Sequence, residues 1–224
     1  MNVELGGELI ELLPQRAAYW PRRRSLVVAD VHFGKAATFR SHGIPVPRGT
    51  TGENLAALDA LLFSRDTEEL IFLGDFLHAR QAQAPATLDA IRRWRRRRPA
   101  LRLVLVRGNH DIHAGDPPPD LDILVVDEPH RVGPIAFCHH PQRVSGRFAL
   151  SGHLHPVYTL RAGHERIRLP CFVLGVDTCV LPAFGAFTGG LTVRAREGER
   201  ILLAAPDRVW EVPRRQPGVD SIAG

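Results

Sequence analysis

Five short stretches of the chain are apolar almost without a break: residues 25–29, 70–73, 101–106, 123–126 and 135–138. Continuous runs of this length, as opposed to alternating ones, predict strands buried on both faces. Between the first two, Leu55, Leu58, Leu61 and Leu62 recur at helical spacing behind Thr50-Thr51-Gly52-Glu53, which has the spacing of a capping box. A helix is therefore expected over 51–63. A second helix is expected to start at Pro85, with Leu88, Ile91 and Trp94 at three-residue spacing, and to run out in Arg95 to Arg98 before Pro99. Strand, helix, strand, helix, strand is the order of an α/β sheet.

Beyond Asp127 the apolar segments shorten and turn residues become frequent. A hairpin is expected around Arg161-Ala162-Gly163-His164-Glu165, with strands near 166–169, 172–174, 191–193 and 201–204, forming a second sheet in the same domain. Asp116-Pro117-Pro118-Pro119-Asp120 reads as a stiff loop. Residues 214–224 have the polar, Gly- and Pro-containing composition of a disordered tail, which leaves 1–213 as one domain.

Length and composition agree with this. The chain has 224 residues, 44% of them hydrophobic and 24% charged, enough for one generous domain with its own core. No apolar stretch approaches the roughly 18 to 20 residues needed to cross a bilayer, so no membrane span is expected. Glu4, Glu8 and Glu11 interrupt the N-terminus where a signal peptide would be basic and then apolar, which suggests a cytoplasmic protein. Cys138, Cys171 and Cys179 form no CxxC pair and read as reduced, buried thiols. The net charge of +5 comes almost wholly from arginine, Lys35 being the only lysine. It favours anionic partners, and the densest run, Arg92, Arg93 and Arg95 to Arg98 with Arg22 to Arg24, could contact a DNA backbone or simply be the solvated face of a helix.

The candidate chemistry lies at the ends of the apolar runs. Ala29-Asp30-Val31-His32, Leu73-Gly74-Asp75 and Arg107-Gly108-Asn109-His110-Asp111 each close a predicted strand, and Cys138-His139-His140-Pro141 and Ser151-Gly152-His153-Leu154-His155 follow the same rule. Carboxyl ends of strands in open α/β sheets converge on one crevice, so groups some forty residues apart in sequence would meet in space. Together they offer two carboxylates, an amide oxygen and several imidazoles, the mixed shell preferred by Mn²⁺, Fe or Zn²⁺. The alternate spacing in Asp30-x-His32 and His153-x-His155 would put each pair on one face of an extended segment. A single such pair occurs by chance; the ordered conjunction of five, each with its glycine where the backbone must turn, does not.

This set of blocks, D-x-H, G-D, G-N-H-D, H and G-H-x-H, resembles the calcineurin-like metallophosphoesterase superfamily. The resemblance implies an α/β fold: a two-sheet β-sandwich flanked by helices, the four-layer arrangement of that superfamily. It implies two divalent metal ions, Mn²⁺ foremost with Fe or Zn²⁺ as alternatives. One would be held by Asp30, His32 and His155, the other by Asn109, His139 and His153, with Asp75 bridging. His139 is preferred to His140 because the motif places its ligand directly after the strand. A hydroxide shared by two cations would be the nucleophile in hydrolysis of a phosphate ester. His110 would be general acid or a stabiliser of transition-state charge, oriented by Asp111. Val31-His32-Phe33-Gly34-Lys35, Gly74-Asp75-Phe76-Leu77-His78, 43–47, His139-His140-Pro141 and 181–185 look further like the ligase-associated DNA-damage-response endonuclease branch, PdeM. That branch implies DNA as substrate and functional association with a DNA ligase and a helicase.

Lys35 lies in no G-x-x-x-x-G-K-[ST] pattern, so ATP cradling is excluded; it, His78 and His140 are candidate substrate-binding residues, with His113 beside them. His42, His130 and His164 read as surface or structural. Two other functions use the same residues: a small-molecule phosphatase or cyclic-nucleotide phosphodiesterase, decided by pocket width, and a catalytically silent protein-binding scaffold, which would normally have lost ligands that this chain retains.

Overall fold

The computed structural model describes residues 1–41, 43–44, 46, 49–162, 165–186 and 188–213. His42, His164, part of the 43–47 segment, the turn of the expected hairpin and the expected tail thus lie outside the described residues.

The first sheet contains β1 (Asn2–Leu5), β2 (Glu8–Leu13), β3 (Ala17–Trp20), β4 (Ser25–Ala29), β5 (Glu69–Leu73), β6 (Arg102–Val106) and β7 (Ile123–Val126), in that spatial order. β1 to β4 form an antiparallel meander, and β4 to β7 are parallel. The parallel strands need crossovers. These carry α1 (Lys35–Ser41) and α2 (Thr50–Ser64) between β4 and β5, α3 (Pro85–Arg96) between β5 and β6, and α4 (Asn109–Ala114) between β6 and β7. The second sheet holds β8 (His130–Val132), β9 (Ile135–Phe137), β10 (Phe148–Ser151), β11 (Pro156–Ala162), β12 (Glu165–Leu174), β13 (Thr178–Val180), β14 (Leu191–Thr192), β15 (Arg200–Ala204) and β16 (Val209–Glu211).

The continuous apolar runs are explained by what lies on each side of the first sheet. Val27, Ile71 and Val104 face the second sheet and share a core with Phe137, Leu150 and Phe172. Leu26, Phe72 and Leu105 face the other way, onto Leu55, Leu58 and Leu61 of α2 and Ile91 and Trp94 of α3. Each such buried side chain contributes on the order of 1.5 to 3 kcal/mol. The outer face of the second sheet carries a smaller cluster of Cys171, Ile201 and Leu203 under Val193 and Val212. All three cysteines are free and buried, and burial pushes each thiol up to about 12.

Four local features depart from the sequence reading. β1 to β3 are not among the strands expected from the sequence, the alternation of β1 (Val3 and Leu5 in, Asn2 and Glu4 out) spanning only four residues. The expected capping box does not form: Gly49, at φ 103°, precedes α2, and the Thr51 hydroxyl instead accepts the backbone N–H of Gly34 at 3.2 Å, tying the helix to the loop after β4. The two strands expected at 166–169 and 172–174 are one, β12. It runs through Pro170 where its partner changes from β11 to β15, so the missing N–H breaks little of either ladder.

The arginine run is the fourth change. Arg95 is buried, donating to Leu121 O at 2.9 Å, Leu101 O at 3.0 Å and Asp122 at 2.8 Å. Arg92 pairs with Asp120, and Arg97 and Arg98 pair with Asp59. Because α3 returns from the end of β5 to the start of β6, its arginine-rich end lies at the edge where the parallel strands begin. Arg24 binds Asp66 and Glu68 at that same edge.

Candidate metal centre

At the opposite edge, β4, β5 and β6 end at Ala29, Leu73 and Val106, directly before Asp30–His32, Gly74–Asp75 and Gly108–Asn109; β9 and β10 deliver His139 and His153 to the same edge. The backbone there is unusual. Asp30 (φ 53°), His32 (46°), Asp75 (53°), His153 (70°) and His155 (47°) are all left-handed, five of the eight non-glycine residues with positive φ among the described residues. Side-chain-bearing residues in such conformations cost of order 1 kcal/mol or more and cluster at functional sites. Asp30 and His32 meet in one donor group while His153 and His155 reach two adjoining ones, in each case through these left-handed turns and not by alternation along an extended segment.

Glycines let the backbone close around the donors. A Cβ on Gly74 would lie 2.1 Å from His139 Nδ1, one on Gly108 2.5 Å from Asp75 Oδ1, and one on Gly152 2.6 Å from Asp30 Oδ2.

The donors form two adjoining groups. In the first, Asp30, His32, Asp75 and His155 each present one atom within 4.8 Å of the others. His32 Nε2 is 3.4 Å from His155 Nε2 and 3.7 Å from Asp75 Oδ2, and His155 Nε2 is 3.5 Å from Asp30 Oδ1. In the second, His139 Nε2 lies 2.8 Å from Asn109 Oδ1, 3.1 Å from His153 Nδ1 and 3.5 Å from Asp75 Oδ1. Asp75 therefore touches both groups through different oxygens. His139 Nδ1 is 3.1 Å from Leu73 O, so it carries the proton and leaves the Nε2 lone pair facing Asn109 and Asp75.

Divalent cations fit this arrangement on three grounds. Asp30 Oδ1 is buried without a hydrogen-bond partner among the described residues. Facing imidazole nitrogens at 3.1 and 3.4 Å repel as lone pairs unless a cation or a proton lies between them. Protons are disfavoured: burial holds His32, His139 and His153 below the usual histidine range, for His32 with help from the nearby Lys35 charge. Asp75 is pushed up by burial and by the Asp30 charge, the condition a nearby cation would relieve.

The remaining candidates surround this centre. His110 Nδ1 lies 2.6 Å from His78 O and its Nε2 3.9 Å from Asp75 Oδ2, and its backbone N–H donates to Asp75 Oδ1 at 3.0 Å. The expectation that Asp111 orients the His110 ring is corrected by these contacts. Asp111 is buried and accepts the backbone N–H groups of Asp75, Phe76, Leu77 and Gly108, so the carbonyl of His78 orients His110 instead. Burial pushes the Asp111 carboxyl up to about 6 against the pull of those bonds. His78 stacks between His110 (centroids 5.0 Å) and Phe39 (6.0 Å), with Nδ1 3.4 Å from His32 Nδ1. Lys35, whose pKa is lowered by burial, sits at the start of α1 with Nζ 6.0 Å from the Phe39 ring centroid. His113 is exposed, with Nδ1 2.7 Å from Asn109 O within α4.

Glu128 was missed by sequence reasoning. Its carboxylate accepts the backbone N–H groups of His139 and His140 at 2.7 and 2.9 Å and faces His140 Nδ1 at 2.6 Å. Burial would raise its pKa, but these bonds from His140 and His139 prevail and lower it. His140 is thereby held against His153 (ring centroids 4.5 Å), and one of its ring nitrogens lies within 4.8 Å of those of His139 and His153, so these three histidines could themselves hold a metal ion.

The calcineurin-like phosphoesterase family model matches residues 23–164. A crystal structure of the Pseudomonas putida nuclease MPE shares 50% identity, covering 95% of this chain and 99% of its own, with a TM-score of 0.84. A Vps29 double mutant from Entamoeba histolytica is 17% identical, covering 80% of this chain and 84% of its own, with a TM-score of 0.33. No curated protein sequence matches the chain.

Proposed function

This chain belongs to the calcineurin-like phosphoesterase family, a metal-dependent phosphoesterase family, and from that premise we propose that it cleaves phosphodiester bonds in DNA, as an endonuclease using two divalent cations. The observation that carries the dinuclear reading is the position of Asp75, one oxygen toward His32 and the other toward His139. Asp30, His32 and His155 would hold one cation and Asn109, His139 and His153 the other, with Asp75 shared. When bound, such a pair supplies Lewis acidity toward the phosphate and makes hydroxide available near neutral pH. Mn²⁺ suits the mixed oxygen and nitrogen donors.

The chain's own residues do the rest. His110, with Nδ1 held by the His78 carbonyl, presents Nε2 to the cleft and gives its proton to the leaving oxygen. Asp111 holds the Asp75 loop against the Asn109 loop, and Lys35 meets a substrate phosphate as a point charge. His78 and His140 line the approach on opposite flanks. The nuclease reading is supported by the 50% identity to the P. putida nuclease across 95% of this chain. Membership of the DNA-damage-response branch and functional association with a DNA ligase and helicase rest on the secondary motifs.

The deciding assay presents the Mn²⁺-loaded protein with circular single-stranded DNA, linear DNA and a phosphomonoester in parallel. Cleavage of the circle is expected. Hydrolysis of the monoester alone would overturn the nuclease reading in favour of a small-molecule phosphatase.

A further inference from the structure

The β11–β12 hairpin reaches past the metal-bearing edge. β13 runs parallel to β10 with Val180 opposite Ser151, and β12 runs antiparallel to β13 with Val173 opposite Val180. The part of β12 before Val173 therefore projects beyond the end of β10, where His153 and His155 lie, and β11 begins directly after His155. Phe172 belongs to the core between the sheets, so by strand alternation Pro170, Arg168 and Arg166 continue that inner face over the metal-bearing edge. Register puts Val157, Thr159 and Arg161 opposite these three, on the same face. The other face is accounted for: Tyr158, Leu160 and Leu169 pack with Cys171 on the outer side.

Arg161, Arg166 and Arg168 are exposed. Arg161 stands directly opposite Arg166, a like-charge pairing that costs stability in a sheet. Neither makes an ion pair among the described residues, unlike Arg92, Arg95, Arg97 and Arg98. The hairpin's one acid, Glu165, is opposite Ala162 and so belongs to the outer face. Arg168 is fixed beside β14 by donating to Gly190 O at 2.9 Å. An unneutralised row of guanidinium groups on a hairpin that begins directly after His155 is complementary to a polyanion lying across the metal centre.

We propose that the inner face of this hairpin, through Arg161, Arg166 and Arg168, binds phosphates of the nucleic-acid strand adjoining the scissile bond at the metal centre. The proposal rests on the nucleic-acid reading above and assigns that substrate a second contact away from the metals.

The test uses the full chain carrying Arg161→Gln and Arg166→Gln together. Binding of a fluorescent single-stranded oligodeoxynucleotide is followed by anisotropy across a salt series, beside Mn²⁺-dependent turnover of bis-p-nitrophenyl phosphate and of single-stranded DNA. Expected are an unchanged or raised melting temperature, unchanged turnover of the small diester, oligonucleotide affinity lower by about tenfold, and a log K against log salt slope shallower by roughly 1.4. If the variant binds and cleaves DNA as wild type does, the hairpin proposal is overturned and these arginines serve another acidic partner, such as a protein, while the nuclease reading stands. If wild type hydrolyses the small diester but neither binds nor cleaves DNA, the nuclease reading itself has failed and the hairpin proposal falls with it.

Discussion

The Asp111 carboxylate accepts the backbone N–H of Asp75 at 2.8 Å through the same oxygen that accepts Gly108 N–H at 2.9 Å. One buried side chain thereby fastens the loop carrying the shared metal ligand to the loop carrying Asn109. In Asp111→Asn one of the two acceptor oxygens becomes a donor facing N–H groups. A loss of about 2 to 4 kcal/mol in stability is expected, because buried donors are left unsatisfied, together with reduced metal content by elemental analysis. A variant with wild-type melting temperature and full metal content would contradict this role.

Glu128 acts on the other flank. Glu128→Ala removes the acceptor for two backbone N–H groups and frees the His140 ring. Metal affinity should fall by about 10- to 100-fold, as for other groups that orient a ligand without binding the ion. Isothermal titration of the metal-free protein with Mn²⁺ measures this; an unchanged binding curve would show that Glu128 serves the backbone alone.

His78 gives a pH signature. Burial first, and the Lys35 charge second, hold it at about 4, below its ordinary 6.5. The fold favours the neutral ring, so below 6.5 the unfolded chain binds the additional proton. Its stabilising contribution is thus complete above pH 6.5 and is lost as pH falls toward 4. In metal-free protein, the stability advantage of wild type over His78→Asn should shrink by about 1 to 3 kcal/mol across that window, allowing for solvent screening of a half-buried group. Denaturant melts at pH 7.5, 6.5, 5 and 4 give the difference; one that grows on acidification would refute the assignment.

The arginines of α3 divide by burial. Arg95→Ala should cost about 2 to 4 kcal/mol, since it orphans buried carbonyls of Leu101 and Leu121. Charge reversal at the more exposed Arg93 and Arg96, far from the metal-bearing edge, should leave DNA cleavage unchanged. A large loss of cleavage without a change in melting temperature would place substrate on α3 after all.

The metal blocks were legible because each closes an apolar run, and parallel strands bring their carboxyl ends together whatever the intervening sequence; Asp30, Asp75 and Asn109 needed only that rule. His139 over His140 came from motif position, and the Leu73 carbonyl that sets its tautomer is a backbone group no side-chain pattern reveals. Glu128 follows no spacing rule: it meets His139 only through the path of the chain between β7 and β9. The arginine run at 92–98 drew notice by density, whereas Arg161 and Arg166 acquire meaning only from the register that sets them opposite each other. Likewise, the orienter of His110 could not be inferred from its neighbour Asp111, because α4 turns that carboxylate back toward the Asp75 loop.

The most direct test of the account is anomalous diffraction at the manganese edge from crystals soaked in Mn²⁺. Two peaks are predicted, one among Asp30, His32 and His155 and one among Asn109, His139 and His153, with Asp75 contacting both. A single peak, or density away from these seven residues, would contradict a shared dinuclear centre.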